Sequence, residues 1–197
     1  NRGKTTIEQC LEIAPKGHIN FIRTVEYKII LHLHEGKYRE ALQTLERHQG
    51  QNDKERFQIL GAYCKLLNGQ NIRLGRFLNE VPKYSKDKAG MNVNILIIQI
   101  LSRLKKNDFP GIIDKLPALE RYSYRYLKKD NTFRTNCFIH MILQLERGRF
   151  KKITTNEYTK NYHKKLASMP LSKSNQDIEV EIVPYEKLWE FIHSLLR

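Results

Sequence analysis

The residues best suited to recognition chemistry are cations interleaved with aromatics. Arg121-Tyr122-Ser123-Tyr124-Arg125-Tyr126-Leu127-Lys128-Lys129 is the densest such stretch. On a helix, Arg121, Arg125 and Lys128 share a face, with Tyr122 and Tyr126 one strip over. Cations in that arrangement hold phosphates, and aromatic rings stack on bases. The competing reading packs the tyrosines against a neighbouring hairpin and leaves the cations solvated. A second basic cluster, Arg147, Arg149, Lys151 and Lys152, falls at a turn, and Lys160, Lys164 and Lys165 follow it. Stacked hairpins would line these lysines up with the first cluster. The candidate partner-binding residues are therefore Arg121, Tyr122, Arg125, Lys128, Lys129, Arg147, Arg149, Lys151 and Lys152.

Catalytic constellations are not found. His32 and His34 are two apart and face different directions on a helix, a poor metal pair. His18, His48, His140, His163 and His193 are dispersed. No phosphate loop, GxGxxG, GxSxG or HExxH occurs. The three cysteines, Cys10, Cys64 and Cys137, have no zinc spacing and read as reduced core thiols. No enzyme activity, cofactor or metal is expected.

Net charge is +14 and uneven. Residues 1–98 carry +6, residues 99–173 carry +11 and residues 174–197 carry −3. That balance favours an acidic partner: a protein or peptide, a nucleic acid or an anionic surface. An apolar share of 40% is enough to build a core. The longest apolar region, Val93 to Leu104, is broken by Asn94, Gln99 and Ser102, so no membrane span is expected. No signal peptide is visible, and a cytoplasmic location is expected.

Those cations need rigid elements to position them, and the apolar spacing supplies helices. Thr5 and Glu8 have capping-box spacing before Ile7, Cys10, Leu11 and Ala14. A second helix spans about 18–34 and stops at Gly36; a third starts at Tyr38. Asn52 or Asp53 can cap the next, which carries Phe57, Leu60, Cys64 and Leu67. After Asn68-Gly69 comes a helix from Ile72 to Val81, closed by Pro82, then a loop over 83–90. Met91 to Leu104 is apolar on most of its circumference, as a buried helix is. A turn at Asn107-Asp108 precedes Phe109-Pro110, and Pro117 predicts a kink or break. Asp130, Asn131 or Thr132 starts a helix ending at Arg147-Gly148, and a basic helix spans about 155–166.

Short turns force neighbouring helices to lie antiparallel. Gly36, Tyr38, Ala41, Leu42 and Leu45 resemble the middle of a tetratricopeptide repeat, and Leu60-Gly61 with Tyr63 resembles that repeat's first helix. Tyr38, Ile72, Phe109 and Phe150 recur after each turn at spacings of 34, 37 and 41 residues. Departures are plain: the first hairpin lacks the family's Trp and Leu-Gly, and His48 stands where a small residue normally sits. The resemblance implies a superhelix of stacked hairpins with a concave groove for peptides or proteins.

The tail differs. Ile178, Val180 and Ile182 alternate with Glu179, Glu181 and Val183, which predicts an extended strand. Pro184 precedes an amphipathic helix with Leu188, Trp189, Ile192, Leu195 and Leu196. The expectation is an all-α, tetratricopeptide-like array over 1–173, with a strand-plus-helix cap over 174–197 on the same domain. Its expected role is a non-catalytic interaction module for an acidic peptide or protein. The alternative is a nucleic-acid-binding helical repeat using residues 99–173. A homodimer through the tail strand fits either.

Overall fold

A computed structural model describes residues 2–48, 54–80, 91–127, 132–174 and 180–197. Among them all regular structure is helical, and no strand occurs. No helix among them is long and apolar enough to cross a membrane. The chain divides into two compact units, Asn1–Lys83 and Tyr84–Arg197.

The first unit holds α1 (Arg2–Ile13), α2 (Ile19–Glu35), α3 (Tyr38–Arg47), α4 (Lys54–Leu67) and α5 (Leu74–Glu80). Helix α2 ends at Gly36, whose φ of 78° lets the Lys37 N–H donate back to the His32 carbonyl at 2.8 Å. That turn folds α3 against α2, burying Ala41, Leu42 and Leu45 on Val25, Ile29 and Leu33. Gly69 closes α4 in the same way. Gly61 meets α3 closely: a Cβ there would lie 3.3 Å from Leu45. The buried Glu26 on α2 pairs with Arg23 at 2.9 Å and with Arg56 of α4 at 3.1 Å, which joins α2 to α4 by charge as well as by packing.

Three expectations change here. Helix α1 begins at Arg2, so Thr5 lies inside the helix and is not its cap; Lys4, one residue earlier, already pairs with Glu35 at 2.6 Å. Cys10 is exposed, because α1 packs mainly on α2 and leaves much of its circumference to solvent; Cys64 and Cys137 are buried. Ile72 is buried ahead of α5, which starts two residues later. The expected caps Asn52 and Asp53, the stop at Pro82 and the loop over 83–90 lie outside the described residues.

The second unit holds α6 (Met91–Lys105), α7 (Phe109–Ile113), α8 (Leu116–Tyr126), α9 (Phe133–Arg147), α10 (Lys152–Ser168) and α11 (Tyr185–Leu195). Pro110 and Pro117 each occupy a first helical turn, where a missing N–H costs nothing, so the expected break falls between α7 and α8 at Asp114-Lys115. Asp108 caps α7 by accepting from the Gly111 N–H at 3.0 Å and pairs with Arg103; these contacts hold its carboxyl below the usual range. The turn between α9 and α10 runs through Arg149 and Phe150, both at positive φ, whereas Gly148 is at −74°. Gly148 is needed for proximity: a Cβ there would lie 2.8 Å from the Thr155 Cα. Phe150 is held in its strained conformation by a ring stack on Phe109, centroids 4.5 Å apart, and by the Arg197 N–H donating to its carbonyl at 3.0 Å.

Among the described residues the tail forms no strand. Val180 lies in a turn and Ile182-Val183 in a bend, and all four residues from Val180 to Val183 are buried; Ile178 and Glu179 lie outside the described residues. A half-exposed strand needs one solvent face, but Glu181, the expected solvent-side residue, is directed inward. Its carboxylate receives Arg134 Nε at 2.9 Å and Nη2 at 2.7 Å, and the Tyr185 N–H at 2.9 Å. Asn94 donates to the Val180 carbonyl at 3.1 Å. Among the described residues 180–183 there is thus no strand edge of the kind expected to pair with a second copy. Beyond Pro184, α11 buries Leu188, Trp189 and Ile192 and packs on α6 and α9.

Arg134 and Glu181 are fully buried. Removing one member of such a pair leaves an uncompensated charge, so Glu181→Ala is expected to cost about 3–5 kcal/mol. Arg134→Met with Glu181→Leu is expected to cost less than Glu181→Ala. Urea unfolding of the three proteins checks this; a Glu181→Ala variant as stable as the parent contradicts it.

Candidate functional site

The basic stretches fall on α8, α9 and α10, consecutive helices that lie side by side. Ser123 of α8 donates to Asn136 of α9 at 2.8 Å. Arg134 of α9 reaches the Leu166 and Met169 carbonyls, at 3.3 and 2.6 Å, where α10 ends. The end of α8, the start of α9 and the end of α10 are therefore level. Arg125, Lys164 and Lys165 lie in or next to the last turns at this end, and Arg121 one turn back along α8. Arg147, Arg149, Lys151 and Lys152 sit at the other end of α9, about 20 Å away for a helix of 15 residues. Lys164 and Lys165 thus fall at the end of α10 that is level with the end of α8, and the turn cluster falls at the other, because antiparallel helices alternate their ends.

Arg121 and Arg125 are exposed as expected. Tyr122 is not: it is buried, with its ring 5.0 Å from that of Tyr126. It points into the core because it continues the apolar stripe of Leu116 and Leu119. Tyr124 and Tyr126, 71% and 54% exposed, are the rings left at the surface. Lys128 and Lys129 lie outside the described residues.

Arg147, Arg149, Lys151 and Lys152 are all exposed. The Arg147 guanidinium lies over the Tyr158 ring, 4.4 Å from its centroid. At the opposite end Lys165 lies 5.9 Å from the Tyr162 ring, which stacks on His140 at 5.1 Å. A cation held over a ring keeps part of its side chain ordered before any partner arrives. Helix α10 buries only Thr155, Thr159 and Leu166, so its remaining circumference is a polar, cationic face. From Arg147 to Lys165 there are seven exposed cations and one acid, Glu157. Such a face attracts carboxylates or phosphates over a length of helix.

Burial pushes the Cys64 thiol up to about 12 and raises that of Cys137, so both remain protonated at neutral pH. Among the described residues no group of three or more His, Cys, Asp or Glu is placed to hold a metal.

Sequence reasoning missed Arg134, Glu181 and Glu186. Besides Glu181, Arg134 Nη2 donates to both oxygens of Glu186, at 2.9 and 2.7 Å. Burial alone would lower the Arg134 pKa, but the two carboxylates outweigh it and raise it. The signal was present: Arg134 falls on the stripe that continues through Phe138, Met141 and Leu145, all buried. A cation on an apolar stripe implies buried counter-charges. Comparison with family models, with curated proteins and with solved structures finds no match.

Burial is also the main reason the His140 pKa lies below the ordinary 6.5. The unfolded chain then binds the proton at higher pH than the folded one, so stability is complete above 6.5 and falls below it. His32 and His48 in the first unit are lowered by burial too. Chemical unfolding is expected to show lower stability at about pH 5.5 than at about pH 7.5, with His140→Gln reducing the loss. Equal stability at both values contradicts this.

Proposed function

We propose that this chain is a cytoplasmic, non-catalytic, tetratricopeptide-like interaction protein. On this reading, the exposed basic face of α8–α10 docks an acidic peptide or protein. The observation that carries the proposal is the run of seven exposed cations from Arg147 to Lys165 with a single acid among them. Two further features support it. Two acids of the C-terminal segment, Glu181 and Glu186, are engaged by Arg134 instead of by the cations of this face. Tyr158 and Tyr162 are covered by the protein's own cations, which suits charge recognition better than base stacking. The hairpin residues Gly36, Tyr38, Ala41, Leu42 and Leu45, with Leu45 against Gly61, support the tetratricopeptide-like reading.

A nucleic-acid partner is the second reading. The exposed Tyr124 and Tyr126 beside Arg121 and Arg125 favour it, since rings exposed at the surface can take bases.

A fluorescent Glu-rich peptide and mixed-sequence single-stranded RNA, each titrated at low and moderate salt, test both. The peptide is expected to bind more tightly, and Arg147→Glu/Arg149→Glu/Lys151→Glu is expected to weaken it at least about tenfold, roughly 1.4 kcal/mol. Tighter RNA binding with a steep salt slope, lost in Arg121→Glu/Arg125→Glu, would instead establish the second reading.

A further inference from the structure

The first unit carries a polar cleft of about 270 Å³ that the reading above does not use. It opens among α1, α2 and α3, and its lining includes Glu8, Lys28, His32, Glu40, Gln43 and Arg47. Glu8 and Lys28 close on each other at 2.7 Å and leave no net charge. Glu40 and Arg47 do not: they stand two turns apart on α3, beyond the reach of a helix ion pair. Neither side chain has a hydrogen bond or an ion pair among the described residues, although the Lys37 ammonium feels the Glu40 charge. The cleft therefore has an open carboxylate at one end and an open guanidinium at the other. His32, which also lines the cleft, has its Nδ1 buried without a hydrogen-bond partner.

Burial first, and then the Lys28 ammonium, keeps both His32 and His48 below their ordinary pKa; Glu35 and Glu40 oppose this at His32, whereas Arg47 and Lys16 add to it at His48. A simple anion or cation would satisfy one end and leave the other open. A free α-amino acid carries both charges on one carbon. Seven helical residues rise about 10 Å, and a hydrogen bond of about 3 Å at each end leaves a gap of the order that two linked residues span and a single amino acid does not. A guanidinium fits a carboxylate in bidentate fashion, and a carboxylate accepts from an ammonium. The neutral imidazole and the Gln43 amide offer donors and acceptors suited to a peptide bond between them.

We propose that the cleft binds a small peptidic zwitterion of dipeptide length, with its ammonium on Glu40, its carboxylate on Arg47 and its amide against His32 and Gln43. The proposal is independent of the basic face on the second unit. Glu40 and Arg47 also suit the two ends of the α3 dipole, so their replacement touches stability as well as binding. For that reason the test rests first on the unaltered protein.

Glycylglycine is titrated into the full chain while the ring signals of His32 and His48 are followed by NMR. N-acetyl-glycylglycine, which lacks the ammonium, and glycylglycinamide, which lacks the carboxylate, serve as one-ended probes. Glycylglycine is expected to shift the His32 signal and to bind at least about tenfold more tightly than either. Glu40→Gln is expected to abolish its advantage over the acetylated probe, and Arg47→Gln its advantage over the amide, with helix content unchanged by circular dichroism. No movement of the His32 signal, equal affinity for the three probes, or preferences retained in folded variants would each overturn the proposal.

Discussion

A guanidinium taken wholly out of water must find its counter-charges inside the protein, and the second unit is arranged to meet that demand at Arg134. Desolvating the ion costs several kcal/mol, which only close, well-oriented carboxylates and carbonyls recover. Arg134 uses each nitrogen: Nε and Nη2 on Glu181, Nη2 also on Glu186, and Nη1 on the carbonyls that end α10. Three separate parts of the chain thus converge on one side chain. Around it the packing follows: Tyr185 stacks on Phe138 with centroids 4.4 Å apart, and its hydroxyl lies 2.9 Å from that of Thr135. Where the chain leaves α11, Arg197 hydrogen-bonds across the α9–α10 turn, its guanidinium 4.5 Å from the Phe109 ring.

This arrangement also sorts the charges. The segment over 174–197 carries −3 in a chain of +14. Two of its acids are used inside the fold, so they do not lie over the cationic side of α10. The outward cations are left with few internal partners, and some are held against rings. Buried pairing at one end of α9 and open positive charge along α10 are thus two outcomes of the same sequence region. They differ in whether a cation falls on an apolar stripe, as Arg134 does, or on a polar one, as Lys160 and Lys164 do.

The helices and turns were legible where local chemistry decides them. Gly36 and Gly69 mark turns because they take positive φ, and Pro110 and Pro117 mark first turns because they have no N–H to donate. The surface positions of Arg121, Arg125 and the Arg147–Lys152 cluster followed from side-chain type. What escaped depends on partners distant in sequence. The alternation around Glu181 looked like a half-exposed strand because its counter-charge lies 47 residues away. Tyr122 looked available beside two arginines, yet it continues the core stripe of α8. Cys10 looked buried because its neighbours are apolar, but α1 packs mainly on α2 and leaves much of its circumference to solvent. The paired Glu40 and Arg47 ends of the first-unit cleft carry no motif; they become visible only when α1 and α2 wall them in.

Native-state hydrogen exchange across the second unit tests the central claim most directly. If Arg134 ties the C-terminal segment into the core, the Tyr185 and Arg197 amides will exchange at the slow rate of the α9 interior and open with it as one cooperative unit. Exchange of those amides at loop rates while α9 remains protected would contradict the claim and make the buried ion cluster incidental to the fold.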